Sequence, residues 1–459
     1  MEEEKRRGVV LVPCPFQGHI NPMLQLGTTL HSMGFSITVA HTQFNYPDPS
    51  KHPDFIFIPI QDALTDTNTL SGNLIPFIKT LNINCEVPLQ ECLAQMMDQN
   101  QDQHGKVVCI IYDTLMYFSE AVANHLKLPS IVLRTSDAYS SLAYRSVLRL
   151  QAEGRSVPSI IQAIPPCIAD SVLQDLVPGL HPLRFKDLPL SNFGPLENLL
   201  QLVTIISNIR TSSAIIWNTM DYLECPSLTQ LQQQYKVPLF SVGPLHKISP
   251  ASSSSLLEED ANCISWLDKQ ALNSVIYVSL GSLASLDEAA LTEMAWGLAN
   301  SNQPFLWVVR PGSIRGSEWI ELLPETFKAK FGDTGYIVKW APQGKVLAHG
   351  AVGGFWSHCG WNSTLESICE GVPMICWPCF GDQKVNARYL SCEWRIGLEL
   401  EHMERGNIER AVRRLMVDKE GEEMRQRAMD LKEKAEVCIR KGGSSYNSLN
   451  DLKEIILSF

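Results

Sequence analysis

Seven residues near the start, Gly8 to Cys14 (GVVLVPC), constrain the fold more than any other stretch. They form a short, continuous apolar run rich in β-branched side chains, the pattern of a strand buried on both faces. Such a strand belongs in a parallel sheet, and parallel neighbours need a crossover, usually a helix. The next residues supply one. After the loop PFQGHIN, Asn21 stands as a helix cap with Pro22 at the first helical position. Met23, Leu24, Leu26 and Leu30 recur at helical spacing, and Gly34 closes the element. Phe35 to His41 (FSITVAH) reads as the following strand.

The alternation continues. Val107 to Tyr112 is a strand ending at Asp113, followed by a helical pattern through Phe118, Ala121, Val122 and His125. Ser130 to Leu133, Ala214 to Asn218 and Leu239 to Val242 are further strands. Ser274 to Leu280, Phe305 to Val309, Tyr336 to Lys339 and Met374 to Trp377 form a second series. Between the two series, residues 243–260 (GPLHKISPASSSSLLEED) are rich in Ser, Pro and acids and read as a linker. A chain of 459 residues also calls for two domains. The expectation is an α/β protein with two Rossmann-like doubly wound domains facing a cleft. Their bounds are 1–242 and 261–440, with a C-terminal helix, 441–459, packing back toward the first. Ligands in such sheets sit beyond the carboxyl ends of the strands, so functional residues belong on loops that follow strands. Segments 60–90 and 155–205 are rich in Pro, Leu and Ile and read as loops over a pocket.

Composition excludes several classes. Lys plus Arg is 38 against 49 for Asp plus Glu, so the net charge of −11 argues against a nucleic-acid partner. Thirteen scattered cysteines, an odd number, are not a disulfide framework, and reduced thiols in the cytoplasm are expected. The start does not match a secretory signal, and no apolar run approaches the roughly 18 residues of a membrane span. A monomer is expected.

The chemistry concentrates between Trp340 and Gln383. Ser363-Thr364-Leu365-Glu366 has capping-box spacing for a helix that would end at Gly371, before Pro373. The loop before it, His358-Cys359-Gly360-Trp361-Asn362, delivers the chain to that N-terminus. Gly360 allows close approach, and His358, Asn362 and Ser363 offer donors. Backbone N–H groups and the helix dipole favour an anion such as a diphosphate there. Trp340 and Trp361 offer flat apolar faces for a base or a sugar ring. Asp382 and Gln383 suit hydroxyl groups.

This segment resembles the 44-residue signature box of plant family-1 UDP-glycosyltransferases. The matches in register are Trp340-Ala-Pro-Gln343, His358-Cys-Gly-Trp361-Asn-Ser-Thr-Leu-Glu366, Glu370-Gly-Val-Pro373 and Asp382-Gln383. PFQGHINPMLQL, YVSLGS, FLWVVRPG and KGGSSYNSL extend the likeness over the whole chain. The group that glucosylates steviol glycosides and cytokinins is the nearest in pattern. The resemblance implies the two-domain GT-B fold and UDP-glucose as co-substrate, with no metal and no further cofactor. It implies that Trp340 stacks on uracil, Gln343 contacts the uridine and Glu366 accepts from the ribose hydroxyls, in competition with its capping role. Ser282, His358, Asn362 and Ser363 would hold the diphosphate. Trp361, Asp382 and Gln383 would bind the sugar, with Gln383 favouring glucose.

His19 follows the first strand and Asp113 ends another strand of the same expected sheet, so the two can meet. A neutral His takes a proton from an acceptor hydroxyl, and a carboxylate on its other nitrogen fixes the tautomer. Read alone, they are a loop histidine and a helix cap. The resemblance makes them the family's His–Asp pair and implies single displacement, giving a β-glycoside from an α-linked donor. Leu115, Met116, Thr135, Tyr144 and Phe380 are candidates for binding a lipophilic acceptor such as a terpenoid or flavonoid. The attacking group is a hydroxyl or carboxyl, with another UDP-sugar or a nitrogen nucleophile as alternatives. No histidine spacing indicates a metal site. Two other classes compete: a non-catalytic nucleotide-sugar binder, and a thiol oxidoreductase through Cys376-Trp-Pro-Cys379.

Overall fold

Parallel pairing organises both halves of the computed structural model, which describes residues 7–64, 74–99, 105–155, 171–190, 195–208, 211–249, 255–323, 326–327 and 332–459. The chain clusters into two units. One comprises Met1–Ala169, Leu190–Leu256 and Val437–Phe459, the other Asp170–Pro189 and Leu257–Glu436.

In the first unit seven parallel strands run β1 (Gly8–Val12), β2 (Ser36–Thr42), β3 (Phe55–Ile60), β4 (Val107–Asp113), β5 (Ser130–Arg134), β6 (Ala214–Trp217) and β7 (Leu239–Ser241). Their order is β3-β2-β1-β4-β5-β6-β7, so the direction of winding reverses between β1 and β4. All of β1 is buried, as a continuous apolar run requires. Val9 and Leu11 pack with Ile20, Met23 and Leu24 of helix Gln17–Ser32 and with Leu449, Leu452 and Ile456 of helix Ser444–Ser458.

Several elements differ from the sequence reading. Helix Gln17–Ser32 begins at Gln17, with Phe16 at the cap position, no side-chain cap and Pro22 inside. Burial of Ile20 beside Met23 draws the start forward, and Pro22, the sixth helical residue, forfeits the one helical bond its N–H would make to the Gly18 carbonyl. His19 therefore sits in a helical turn rather than a free loop. The expected loop 60–90 contains most of helix Leu74–Gln99, and 155–205 contains the start of helix Leu196–Ser207. Residues 65–73, 156–170 and 191–194 lie outside the described residues. Strand β3 carries Pro59, which an edge strand tolerates.

The second sheet is also parallel. It contains β8 (Val275–Ser279), β9 (Phe305–Val308), β10 (Gly335–Val338), β11 (Val352–Ser357), β12 (Met374–Cys376) and β13 (Gly397–Glu399). The order β10-β9-β8-β11-β12-β13 reverses between β8 and β11. Strand β11 (VGGFWS) escapes a propensity reading because of its two glycines. Both are needed for close packing: a Cβ at Gly353 would lie 2.2 Å from the Asn273 carbonyl oxygen, and one at Gly354 2.7 Å from Leu415.

Residues 170–189, which the sequence reading places in the first domain, cluster with the second unit. Arg184 pairs with Asp187 at 2.7 Å and with Glu399 at 2.9 Å, and Arg388 donates to the Pro182 carbonyl at 2.9 Å. These contacts span up to 215 residues and leave no local pattern. The expected linker is partly folded onto the first unit: Leu245 of helix Leu245–Ile248 is in its core, and Leu256 N–H donates to Gln17. Residues 250–254 of that stretch lie outside the described residues.

A side chain at Gly353 must push β11 off the Asn273 backbone. Gly353→Ala should cost about 1–3 kcal/mol, read as a lower thermal midpoint of the second unit with the first little changed.

Candidate active site

The first constellation forms where the strand order reverses in the first sheet. β1 and β4 are neighbours with Val12 opposite Tyr112, so Asp113 and the helical turn after β1 emerge side by side. His19 Nδ1 lies 2.8 Å from Asp113 Oδ2 across 94 residues of sequence. Asp113 is fully buried, whereas the His19 side chain keeps 25% of its exposure. The carboxylate makes Nδ1 the protonated nitrogen, which leaves Nε2 as a proton acceptor. Asp113 Oδ1 accepts the Leu115 N–H at 2.9 Å, so both carboxylate oxygens are engaged.

Two residues that sequence reasoning gave other roles, or none, complete the group. Thr135, expected at an acceptor pocket, is buried, with its hydroxyl oxygen 2.9 Å from His19 Nδ1 and 3.5 Å from Asp113 Oδ2. Asn82, unremarked in the sequence, donates to the carbonyls of Ile78 and Leu115 and accepts the Phe118 N–H. It thereby pins the loop that follows Asp113. Cys14 also joins: one ligand atom each of Cys14, His19 and Asp113 lies within 4.8 Å of the other two. The sequence contained no metal-type spacing because these residues are brought together by strand pairing alone.

The other acceptor candidates divide. Met116 is fully buried. Leu115, Tyr144 and Phe380 are half-buried. Phe16 meets the His19 ring edge-on at 6.2 Å and Phe77 at 5.8 Å, an apolar flank that the sequence did not disclose.

The second constellation forms at the corresponding reversal in the other sheet, where Ser279 of β8 lies opposite Ser357 of β11. The loops that follow bring Gly281 against His358. The imidazole occupies a slot between two glycines: a Cβ at Gly281 would lie 2.6 Å from it, and one at Gly360 2.5 Å. Gly281 also has φ +78°, which favours glycine. Burial pushes the His358 pKa down to about 4, so the ring is neutral at pH 7. Helix Trp361–Glu370 starts at once, with Gly360 as its cap residue. The expected capping box at Ser363 is therefore absent, because the helix begins two residues before that serine. Its first N–H groups have no carbonyl one turn back and favour an anion.

The remaining box residues are distributed as follows. Gln343, the first residue of helix Gln343–Leu347, donates to Ser363 at 2.9 Å and to Glu366 at 2.6 Å, and accepts from Tyr277 at 3.2 Å. Burial pushes the Glu366 carboxyl up to about 7, partly offset by the Gln343 bond. Trp340, Ser282, Asn362 and Asp382 are half-buried. Trp361, expected to present a face to a ligand, is only 3% exposed and packs against Trp394. Gln383 is equally buried, and its carboxamide oxygen accepts the N–H groups of Cys379 and Phe380 at 2.8 and 3.0 Å. Its carbonyl end thus holds the preceding turn. Burial pushes the Cys379 thiol up to about 12 and raises the Cys359 thiol well above its ordinary value, which opposes thiolate chemistry in this region.

Each parallel doubly wound unit thus carries one constellation: a His–Asp pair in the first, and an anion-favouring helix terminus in the second. The family model described as UDP-glucoronosyl and UDP-glucosyl transferase matches residues 257–433. UDP-glycosyltransferase 76E1 of Arabidopsis thaliana is 51% identical over 97% of this chain and 96% of its own. Flavonol 3-O-glucosyltransferase UGT76E12 of the same plant is 51% identical over 99% and 98%. The structure of Phytolacca americana UGT2 complexed with UDP-2fluoro-glucose and pterostilbene aligns with a TM-score of 0.79 at 28% identity, covering 100% of both chains. The chain belongs to the UDP-glycosyltransferase family and is an enzyme of that family. Among the described residues, no helix is long and apolar enough to cross a membrane.

Gly360 has φ −62°, open to any residue, so Gly360→Ala tests the His358 slot without backbone strain. The displaced imidazole should weaken UDP binding at least about tenfold, the effect of one hydrogen bond to a charged group. Isothermal calorimetry measures this, with circular dichroism reporting an unchanged fold.

Proposed function

We propose that this enzyme transfers glucose from UDP-glucose, with inversion, to a hydroxyl or carboxyl of a lipophilic small molecule, forming a β-glucoside. The observation that carries the reading is the 2.8 Å bond from His19 Nδ1–H to the buried Asp113 carboxylate, which leaves Nε2 to accept a proton. An acceptor hydroxyl gives its proton to Nε2 as its oxygen attacks C1 of glucose. The C1–oxygen bond to the diphosphate breaks, and UDP departs. Asp113 stabilises the imidazolium that forms.

Stabilisation of the departing diphosphate falls to Ser282, Asn362, Ser363, the neutral His358 and the N-terminus of helix Trp361–Glu370. No metal is required in this scheme. Trp340 is assigned to the uracil, Gln343 to the uridine and Glu366 to the ribose hydroxyls. Asp382 and the amide nitrogen of Gln383 are assigned to the sugar. The flavonol acceptor named for one relative and the pterostilbene bound to a structural neighbour favour an aromatic phenol as acceptor.

His19→Ala should lower turnover by about 10² to 10⁴ while UDP binding persists. Near-normal transfer in that variant would remove the general-base assignment. Proton NMR of the product should show the β anomer, and retention at C1 would overturn single displacement.

A second test uses Glu366. With its pKa near 7, the carboxyl is neutral below that pH and charged above it. Two ribose hydroxyls donate best to the charged form. UDP affinity should therefore rise as pH increases through neutrality, and Glu366→Gln should flatten the profile.

A further inference from the structure

We infer that Cys14, His19 and Asp113, with Thr135 beside them, form a binding site for a thiophilic divalent cation of the zinc class. Ligand atoms of the first three lie within 4.8 Å of one another. A small bound cation that holds its donors at about 2.0–2.3 Å draws them within about 4.6 Å of one another, a short inward movement from this spacing. Thr135 Oγ1, 2.9 Å from His19 Nδ1 and 3.5 Å from Asp113 Oδ2, supplies a fourth donor. Sulfur, nitrogen and two oxygens suit a tetrahedral, borderline-soft ion and disfavour magnesium or calcium, which take oxygen shells.

The charges also balance. A Cys14 thiolate and the Asp113 carboxylate together carry two negative charges, matching one divalent cation. Binding releases the Cys14 proton to solvent and moves the single ring proton of His19 from Nδ1 to Nε2, with no change of oxidation state. Cys14 and Asp113 are closed to solvent, and the partly exposed His19 edge provides the way in.

Metal on Nδ1 forces the remaining ring proton onto Nε2, which then accepts nothing. The cation is thus an inhibitor of transfer rather than a cofactor. This consequence rests on the proposed role of His19, whereas the site itself does not.

The test uses the full chain with buffered free Zn²⁺ and, separately, Co²⁺. Wild type should lose transfer as Zn²⁺ rises and recover with EDTA. Co²⁺ should produce the near-ultraviolet thiolate-to-cobalt charge-transfer band of a sulfur ligand. In Cys14→Ala, with Cys14→Ser as a second variant, the band should disappear. Half-inhibition, relative to each variant's own metal-free rate, should need at least about tenfold more Zn²⁺. A band that survives in both variants, or an unchanged Zn²⁺ sensitivity, overturns the site, because another cysteine then binds the ion. Absence of any band in wild type overturns it as well. A Cys14-dependent band without loss of transfer supports the site and overturns the general-base role of His19 instead.

Discussion

Both constellations depend on one constraint: the parallel pairing of two strands on either side of the point where the winding direction reverses. In the first sheet these are β1 and β4, in the second β8 and β11. Crossovers on opposite sides carry the chain away from this point, and the loops after the two strands are left facing each other. Asp113 meets His19 for this reason, and Gly281 meets His358 for the same reason. Register is the quantity that matters. Moving β4 by one residue against β1 would turn Asp113 to the other face of the sheet.

The electrostatics of the two places are opposite. In the first, a buried carboxylate is tied to an imidazole and to a backbone N–H, so its charge is held and directed. In the second, burial suppresses charge: His358 is neutral, and Glu366 titrates near neutrality. A chain of net charge −11 can receive an anionic donor under these conditions because partial charges at a helix terminus act over a few ångströms. The overall charge is screened on about the same scale as the Debye length.

Much of the site was legible because its residues lie close together in sequence. The run from Trp340 to Gln383 carries its glycines, tryptophans and polar groups at fixed offsets, and the resemblance assigns them without knowledge of the fold. What stayed hidden depends on contacts across long separations. Thr135 looked like pocket lining, yet its hydroxyl reaches the His–Asp pair. Trp361 looked like a platform, yet it is buried and packs against Trp394. Glu366 looked like half of a capping box, yet the helix starts earlier and the carboxylate accepts from Gln343 instead. Asn82 carried no signal, because one buried asparagine in an apolar helix can be read only once its partners are known.

The sequence by itself determined the parallel α/β class, the two-part division and the family. Those rest on periodicity, on short apolar runs and on motifs, all of which are local. Only the tertiary structure decided where helix Gln17–Ser32 begins, that residues 170–189 join the second unit, and that Cys14, His19, Asp113 and Thr135 form one group. The physical reason is that burial and ion pairing act between residues separated by tens to hundreds of positions. Ile20 joins the helix because a core is there to receive it, and Arg184 crosses to the second unit because Glu399 is there to pair with it.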